Sequence, residues 1–307
     1  MKLLAGFFKL TRWPNLVFIA LTQILFQCFI IVPVKQTAGV PVLFFLSDFI
    51  FLVLASVFIA AAGYIINDYF DLNIDKVNKP DKIIIERVIS RRSAILWHAL
   101  LSLAGLALTA IVARHIGVWW LLFANAATVI GLWFYSTTYK KTTLIGNTLI
   151  SILTAWVIVV IYFFNKDEHS GIVNAKLLRL TALYSGFAFI ISLIREVIKD
   201  MEDVEGDRRY GCKTMPILWG MNAAKIFAAV WLSVITIAIA AVQFYVIQFS
   251  WWFSAAYCIV FVLMPLLWIF KNLFIATTPA HYHKLSLAVK LVMLAGILSM
   301  VFFKLYL

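Results

Sequence analysis

Charge is what this sequence has least of. Of its 307 residues, 13% are Asp, Glu, Lys or Arg and 64% are hydrophobic, where a water-soluble domain is nearer a quarter charged and half apolar. In water such a chain would expose large apolar patches, so its solvent must be lipid. No polar stretch is long enough to build an independent core, and the chain reads as one integral-membrane domain over residues 1–307. Cysteine is limited to Cys28, Cys212 and Cys258. They lie too far apart for a disulfide framework or a metal spacing, and read as small packing residues. No Gly-rich phosphate loop, nucleophile elbow or HExxH is present. His98, His115, His169, His281 and His283 form no haem or zinc constellation. No small-residue cleavage site follows Lys2, Lys9 and Arg12, so the N-terminus is read as leading into a first spanning helix.

What is present is a series of apolar runs. A bilayer core of ~30 Å needs ~20 apolar residues per helix. Nine segments meet that length: 14–34, 44–67, 94–113, 117–136, 145–164, 180–199, 222–242, 250–270 and 285–305. The fold class is therefore all-α and polytopic. Lys and Arg concentrate in the N-terminus and in the loops 68–93, 137–144, 200–221 and 271–284. That side is expected to be cytoplasmic, in a cell (inner) membrane. The same asymmetry explains much of the formal net charge of +12, so no nucleic-acid partner is inferred. Trp119, Trp120, Trp251 and Trp252 sit at proposed span ends as interface anchors.

The acids are distributed quite differently. All 14 except Asp48, Asp167 and Glu168 fall within 68–86 and 196–207. Asp68, Asp71 and Asp75 are spaced by three and four; Asp200, Asp203 and Asp207 repeat that spacing 132 residues later. Such spacing places three side chains on one face of a helix. The triads end the second and sixth spans and so face the same side, as a duplicated four-helix unit would place them. Like charges so close repel unless a cation lies between them. Hard oxygen ligands suit Mg²⁺, which takes one or two carboxylates and completes its shell with phosphate oxygens. Two opposed triads are therefore read as Mg²⁺ sites that clamp a diphosphate where an apolar cavity meets the aqueous side. A solvated acidic loop is the alternative.

Basic residues follow each triad, Lys76, Lys79 and Lys82 after the first, Arg208, Arg209 and Lys213 after the second, and Lys199 precedes the second. A diphosphate needs such groups beside the metals, although topology alone also uses them. Tyr135 and Lys140 in "YSTTYKK" could reach a phosphate at the same mouth, or serve as a belt Tyr and a snorkelling Lys. Asn15, after "RWP", lines the cavity or caps the first helix. Arg195 and Glu196 lie inside the sixth span, where ionisable groups mark a functional cavity or pair with each other.

"NDYFDLNID" resembles the NDxxDxxxD motif, and "KDMEDVEGD" the DxxDxxxD motif, of UbiA-type intramembrane prenyltransferases. "RWPN", "NKP" at 78–80 and "YSTTYKKTTLIGN" at 135–147 extend the similarity over nearly the whole chain. The resemblance implies nine transmembrane helices around a central cavity. It also implies Mg²⁺-dependent transfer of a prenyl group from a prenyl diphosphate to a lipophilic acceptor; no obligate protein partner is evident in the sequence. By motif, Asn67, Asp68, Asp71 and Asp75 match the first metal motif and Asp200, Asp203 and Asp207 the second. Asp71, Asp203, Tyr135 and Lys140 carry the chemistry, and Asn15, Asn67, Lys82, Arg195, Lys199 and Arg208 are candidate substrate contacts. Two departures stand out. The Tyr/Lys pair is five apart rather than four, and "KIIIER" replaces "RPxxSG" after "NKPD". "REVIKDMEDVEGDRRYGCKTMPILWG" looks most like the ether-lipid branch, the digeranylgeranylglyceryl phosphate synthases; the quinone-forming branch, with an aromatic acceptor, is the alternative. A cation transporter, a scaffolding homologue without turnover and a CDP-alcohol phosphotransferase are the rival classes. The first predicts acids near the bilayer midplane, the second a lost aspartate and the third a single Gly- and Arg-containing motif.

Overall fold

A computed structural model of the protein describes residues 2–42, 46–166 and 171–306; the side chains of Lys2 and Lys82 lie outside that description. Among the described residues nine helices are long and apolar enough to cross a bilayer: Trp13–Thr37, Leu46–Asn78, Arg91–Ile116, Trp120–Thr137, Ile145–Asn165, Gly171–Glu202, Met221–Ile247, Trp252–Ile275 and Pro279–Tyr306. They are called the first to ninth spans below. Local chemistry sets several ends. Ser90 caps the third span by accepting from the Ser93 N–H at 3.1 Å, and Gly117, at φ 74°, ends it in the left-handed conformation that glycine adopts without strain. Thr278 caps the ninth ahead of Pro279, which needs no hydrogen-bond acceptor at a first helical position. Pro33 and Pro265 are each preceded by a π-helical turn, Gln27–Ile31 and Ile259–Leu263, which takes up the proline's missing N–H inside a span.

The second and sixth spans run to 33 and 32 residues, about 50 Å each at 1.5 Å per residue and well beyond a ~30 Å core. Hydropathy placed their ends at 67 and 199. It marks where apolar side chains stop, whereas the backbone stays helical while its carboxylates are neutralised. The first aspartate triad is thus carried on a continuous helical extension ending at Asn78.

The first, second, fourth, fifth, sixth and ninth spans surround a cavity of about 560 Å³; among the described residues none from the third, seventh or eighth lines its wall. These three are outer supports: the third packs along the second, the seventh on the sixth, and the eighth between the seventh and ninth. The nine spans that the family resemblance implied are present among the described residues, six of them lining the cavity and three backing it. One apolar core joins the sixth to ninth spans through Ile194, Leu232, Leu266 and Val289. A second closes the far end of the bundle with Phe26, Leu52, Leu121, Ile161 and Met300.

The "KIIIER" departure proves to be a plug. Ile84, Ile85 and Ile89 are buried with Leu10 of the short helix Lys2–Leu10, and with Ile65 and Leu72 of the second span. Glu86 turns the chain at φ 73° and is held by Lys76 at 3.0 Å and Arg91 at 2.8 Å. The hydrogen bond from Lys76 keeps its carboxyl below the usual glutamate range. Three β-branched side chains supply the cap with an apolar underside, and Ile84 reaches the cavity wall. Ile85→Ala is expected to cost about 2–5 kcal/mol, the usual result of emptying a fully packed isoleucine site. Thermal unfolding in detergent reads this directly.

Candidate active site

The cavity mouth is built from the ends of the second and sixth spans. Asp68, Asp71 and Asp75, on successive turns of one helix, all reach the cavity wall. The second triad is arranged otherwise. The sixth span ends at Glu202, and Asp203 heads a separate short helix, Val204–Arg209. The shared face implied by its spacing is broken at Asp203. Of that triad only Asp203 lines the cavity; Asp200 turns away to accept from Asn147 Nδ2 at 2.8 Å. Asp207 is buried behind the mouth, where burial first, and then Asp203, push its carboxyl up to about 6 against the pull of Lys140. In place of Asp200, Glu196 and Glu202 line the wall.

The chain supplies its own cations to these carboxylates. Arg12 donates to Asp68 Oδ1 at 2.6 Å and lies 5.2 Å from the Tyr64 ring. Its backbone is left-handed at φ 52°, a strained conformation for a non-glycine residue that directs the guanidinium inward. Lys140 donates to Asp71 Oδ2, and Asn67 Nδ2 donates to the same oxygen at 2.6 Å. Burial disfavours the Lys140 charge, but Asp71 and then Tyr135 outweigh it and hold its pKa above the ordinary lysine value. The five-residue Tyr/Lys spacing works because the fourth span ends at Thr137 and Tyr139–Lys141 forms a tighter 3₁₀ turn. That turn winds the extra residue back, so Tyr135 and Lys140 both line the cavity.

The two halves are bolted together at this point. Lys79 Nζ lies 2.7 Å from Asp203 Oδ2 and 3.8 Å from Glu202 Oε1. Asn78 donates to the Asp203 carbonyl at 3.0 Å and accepts from the Gly206 N–H at 2.8 Å. The end of the second span therefore grips the turn that carries the second motif. Deeper in, Lys199 pairs with Glu196 at 3.0 Å, Arg195 reaches Glu196 at 3.3 Å, and Asn15 accepts from Lys290 at 2.7 Å.

The structure thus gathers Asn15, Asn67, the first triad, Tyr135, Lys140, Arg195, Lys199 and Asp203 on one wall. Arg208 is not among them. It is exposed on Val204–Arg209, because Asp207, one residue back, is the side chain that helix turns inward. The side chain of Lys82 lies outside the described residues. Sequence reasoning offered Lys79 among the basic groups beside a diphosphate and passed over Arg12, Asn78, Glu202 and Lys290. "RWPN" and "NKP" contain Arg12, Asn78 and Lys79, but their roles depend on what they face across the cavity.

The model of the UbiA prenyltransferase family matches residues 14–301. The chain belongs to this family. Among its relatives, the digeranylgeranylglyceryl phosphate synthase of Pyrococcus abyssi is 36% identical over 178 residues, 57% of this chain and 59% of that protein. The enzyme of the same name from Methanosphaera stadtmanae is 29% identical over 246 residues, 79% of this chain and 83% of that protein. The chain therefore matches under two thirds of the length of the first relative and over four fifths of the second. A solved structure concerned with digeranylgeranylglyceryl phosphate synthase in membranes superposes at TM-score 0.61, with 22% identity over 98% of this chain and 99% of that one. A UbiA homologue from Archaeoglobus fulgidus bound to DMAPP and Mg²⁺ superposes at 0.57, with 16% identity over 96% of this chain and 99% of that one. At these identities the superpositions establish the UbiA fold: all-α, spanning the membrane many times around one cavity.

Proposed function

We propose that this UbiA protein transfers a polyprenyl group from a prenyl diphosphate to a lipophilic acceptor. The specific reaction is geranylgeranyl transfer to geranylgeranylglyceryl phosphate, dependent on Mg²⁺. The observation that carries the reading is the joining of the two aspartate motifs, through Asn78 and Lys79, at one mouth of an apolar cavity. A transporter would need its acids near the bilayer midplane; here they stand at helix ends. The relatives' names supply the acceptor class. We read the chain as one integral domain in the cell membrane, with the mouth on the cytoplasmic side, where the basic loops lie.

The donor set suits Mg²⁺. Among the described residues neither Asp75 nor Asp207 has an ion-pair partner, and the buried Oδ1 of Asn67 accepts no hydrogen bond. All are hard oxygens. No three of the described carboxylate, imidazole or thiolate groups converge on one point as a closed shell, in keeping with an ion that completes its coordination with phosphate and water. Asp68, Asp71, Asp75 and Asp203, which line the cavity, are the residues that would hold it, with Asp207 behind them. Bound there, Mg²⁺ supplies the positive charge that stabilises a departing diphosphate.

The chain's own groups supply the rest. Lys140 and Lys79 stand at the mouth as fixed cations for the diphosphate oxygens. The allylic C–O bond breaks, its electron pair leaves with the diphosphate, and apolar walls such as Ile59, Leu132 and Ile191 keep water from the carbocation. The acceptor hydroxyl oxygen then bonds to that carbon and releases its proton.

The test is an in vitro panel of labelled prenyl diphosphates against glyceryl phosphates and aromatic acceptors, with products identified by mass spectrometry. The expected product is a glyceryl ether phosphate, formed with Mg²⁺ and lost with EDTA. Turnover of aromatic acceptors alone would move the protein to the quinone-forming branch, and ion flux in liposomes without diphosphate release would remove it from catalysis.

A further inference from the structure

The cavity holds charges that the two aspartate motifs do not account for. The ninth span presents His283, Ser286 and Lys290 to the cavity, three and four residues apart and so on one helical face. Beyond them the same face is apolar, with Met293, Ile297 and Met300. His283 is occupied, its Nδ1 lying 2.9 Å from Glu202. Lys290 has no such counter-charge. Its ammonium donates to the neutral Asn15 Oδ1 at 2.7 Å and stands 5.1 Å from the Phe18 ring, and among the described residues it has no ion pair. Arg12 and Arg195, both positive, line the same cavity.

Arg12 is committed to Asp68. Arg195 and Lys199 share one carboxylate, Glu196, Lys290 reaches none among the described residues, and the Nε of Arg195 is buried with no hydrogen-bond partner. Lys290 lies eleven residues into its span, about 16 Å along the helix. At such a depth an ammonium with no counter-ion, in a cavity it shares with a guanidinium, is costly, and persists where an anion from outside the chain completes the site. The diphosphate already has the lysines of the aspartate mouth. A second anion is needed to explain these groups, and a phosphorylated acceptor carries one.

We infer that Lys290, Arg195 and Asn15 form an anion subsite for the phosphate monoester of the acceptor lipid, separate from the mouth that takes the diphosphate. The inference rests on the transfer reaction proposed above. Arg195 supplies a planar fork and Lys290 a point charge, a pairing suited to phosphate oxygens. Asn15 gives up its bond to Lys290 when the anion arrives and turns its amide to donate. Phe18, Met293 and Ile297 receive the start of the acceptor's hydrocarbon chain.

The experiment uses the full chain in detergent, with Lys290→Met, which keeps the packing over Phe18, and Lys290→Arg, which keeps the charge. The methionine variant is expected to raise KM for the phosphorylated acceptor at least about tenfold while KM for the prenyl diphosphate moves less than about twofold; arginine should recover most of the loss. A second arm works without Mg²⁺ and without turnover. Wild type should bind a long-chain glyceryl ether phosphate at least about tenfold more tightly than the same lipid lacking its phosphate, and Lys290→Met should show no preference. A methionine variant that keeps this preference, or that raises KM for the diphosphate instead, overturns the subsite; so does a wild type with no preference. If wild type makes no prenylated glyceryl phosphate, the proposed reaction fails, while the binding arm still decides the subsite.

Discussion

Replacing Asp71 by Asn is expected to lower kcat/KM for prenyl transfer by about 10²–10³-fold, the usual cost of removing one preorganised electrostatic contact from a site where charge develops. Asp71 is the sharpest single position because three roles meet on it. It ends the hydrogen bond from Asn67, it is the counter-ion of Lys140, and it faces the cavity from the middle of the first triad. Asparagine keeps the shape and the ability to accept, and removes only the charge. Alanine is the less informative change. It would leave the Lys140 ammonium in a low-dielectric wall with no counter-charge, at a cost of about 3–5 kcal/mol from breaking a buried pair, and lost activity could then reflect lost folding. Two measurements separate these effects: steady-state kinetics with saturating Mg²⁺, and thermal unfolding in detergent. Asp71→Asn with near wild-type kcat/KM would remove the carboxylate from the reaction and with it the diphosphate-clamping account.

Gly206→Ala is expected to reduce activity by about 10²-fold although the residue carries no functional group. A Cβ there would lie 2.5 Å from Asn78 Oδ1 and 2.6 Å from Cγ and Nδ2. The whole amide is in the way, and asparagine is too short to swing its end clear. Asn78 would lose its bonds to the Gly206 N–H and the Asp203 carbonyl, and the second motif would no longer be held against the first. A shift of about 1 Å in a catalytic group is enough for a loss of that size. Asn78→Ala should produce the same defect by removing the other partner. The double variant should be no worse than either single one, because both changes break one joint. Additive losses would show that the two residues act separately and that the joint does not set the spacing of the motifs.

Much of the architecture is legible in the sequence. Apolar runs of membrane length state the number and order of the spans, since the bilayer demands about the same length of apolar side chain from each helix and demands that its backbone be satisfied internally. Motif spacing likewise located the acids that matter, because like charges at helical spacing need a reason to persist. The details that went astray share a cause. The helix ends at Asn78 and Glu202 were underestimated because hydropathy responds to side chains and not to backbone hydrogen bonding. The second triad was read as one helical face because nothing local announces the break at Asp203; that turn is held from another helix, by Asn78 and Lys79. Arg208 was placed in the site by its neighbours in sequence, but it lies on the outer side of a helix whose inner side is chosen by Asp207.

The sequence by itself determined that this chain dissolves in lipid, how many times it crosses, and which two segments bring acid to the same side. Those are consequences of composition and period, summed along the chain without reference to any partner. Only the tertiary structure decided which cation neutralises which carboxylate, which of the spans line the cavity, and that Lys290 donates to Asn15 across it. Pairings of that kind join residues as many as 275 positions apart, and no local pattern encodes them: each depends on where packing brings two helices to within hydrogen-bond distance.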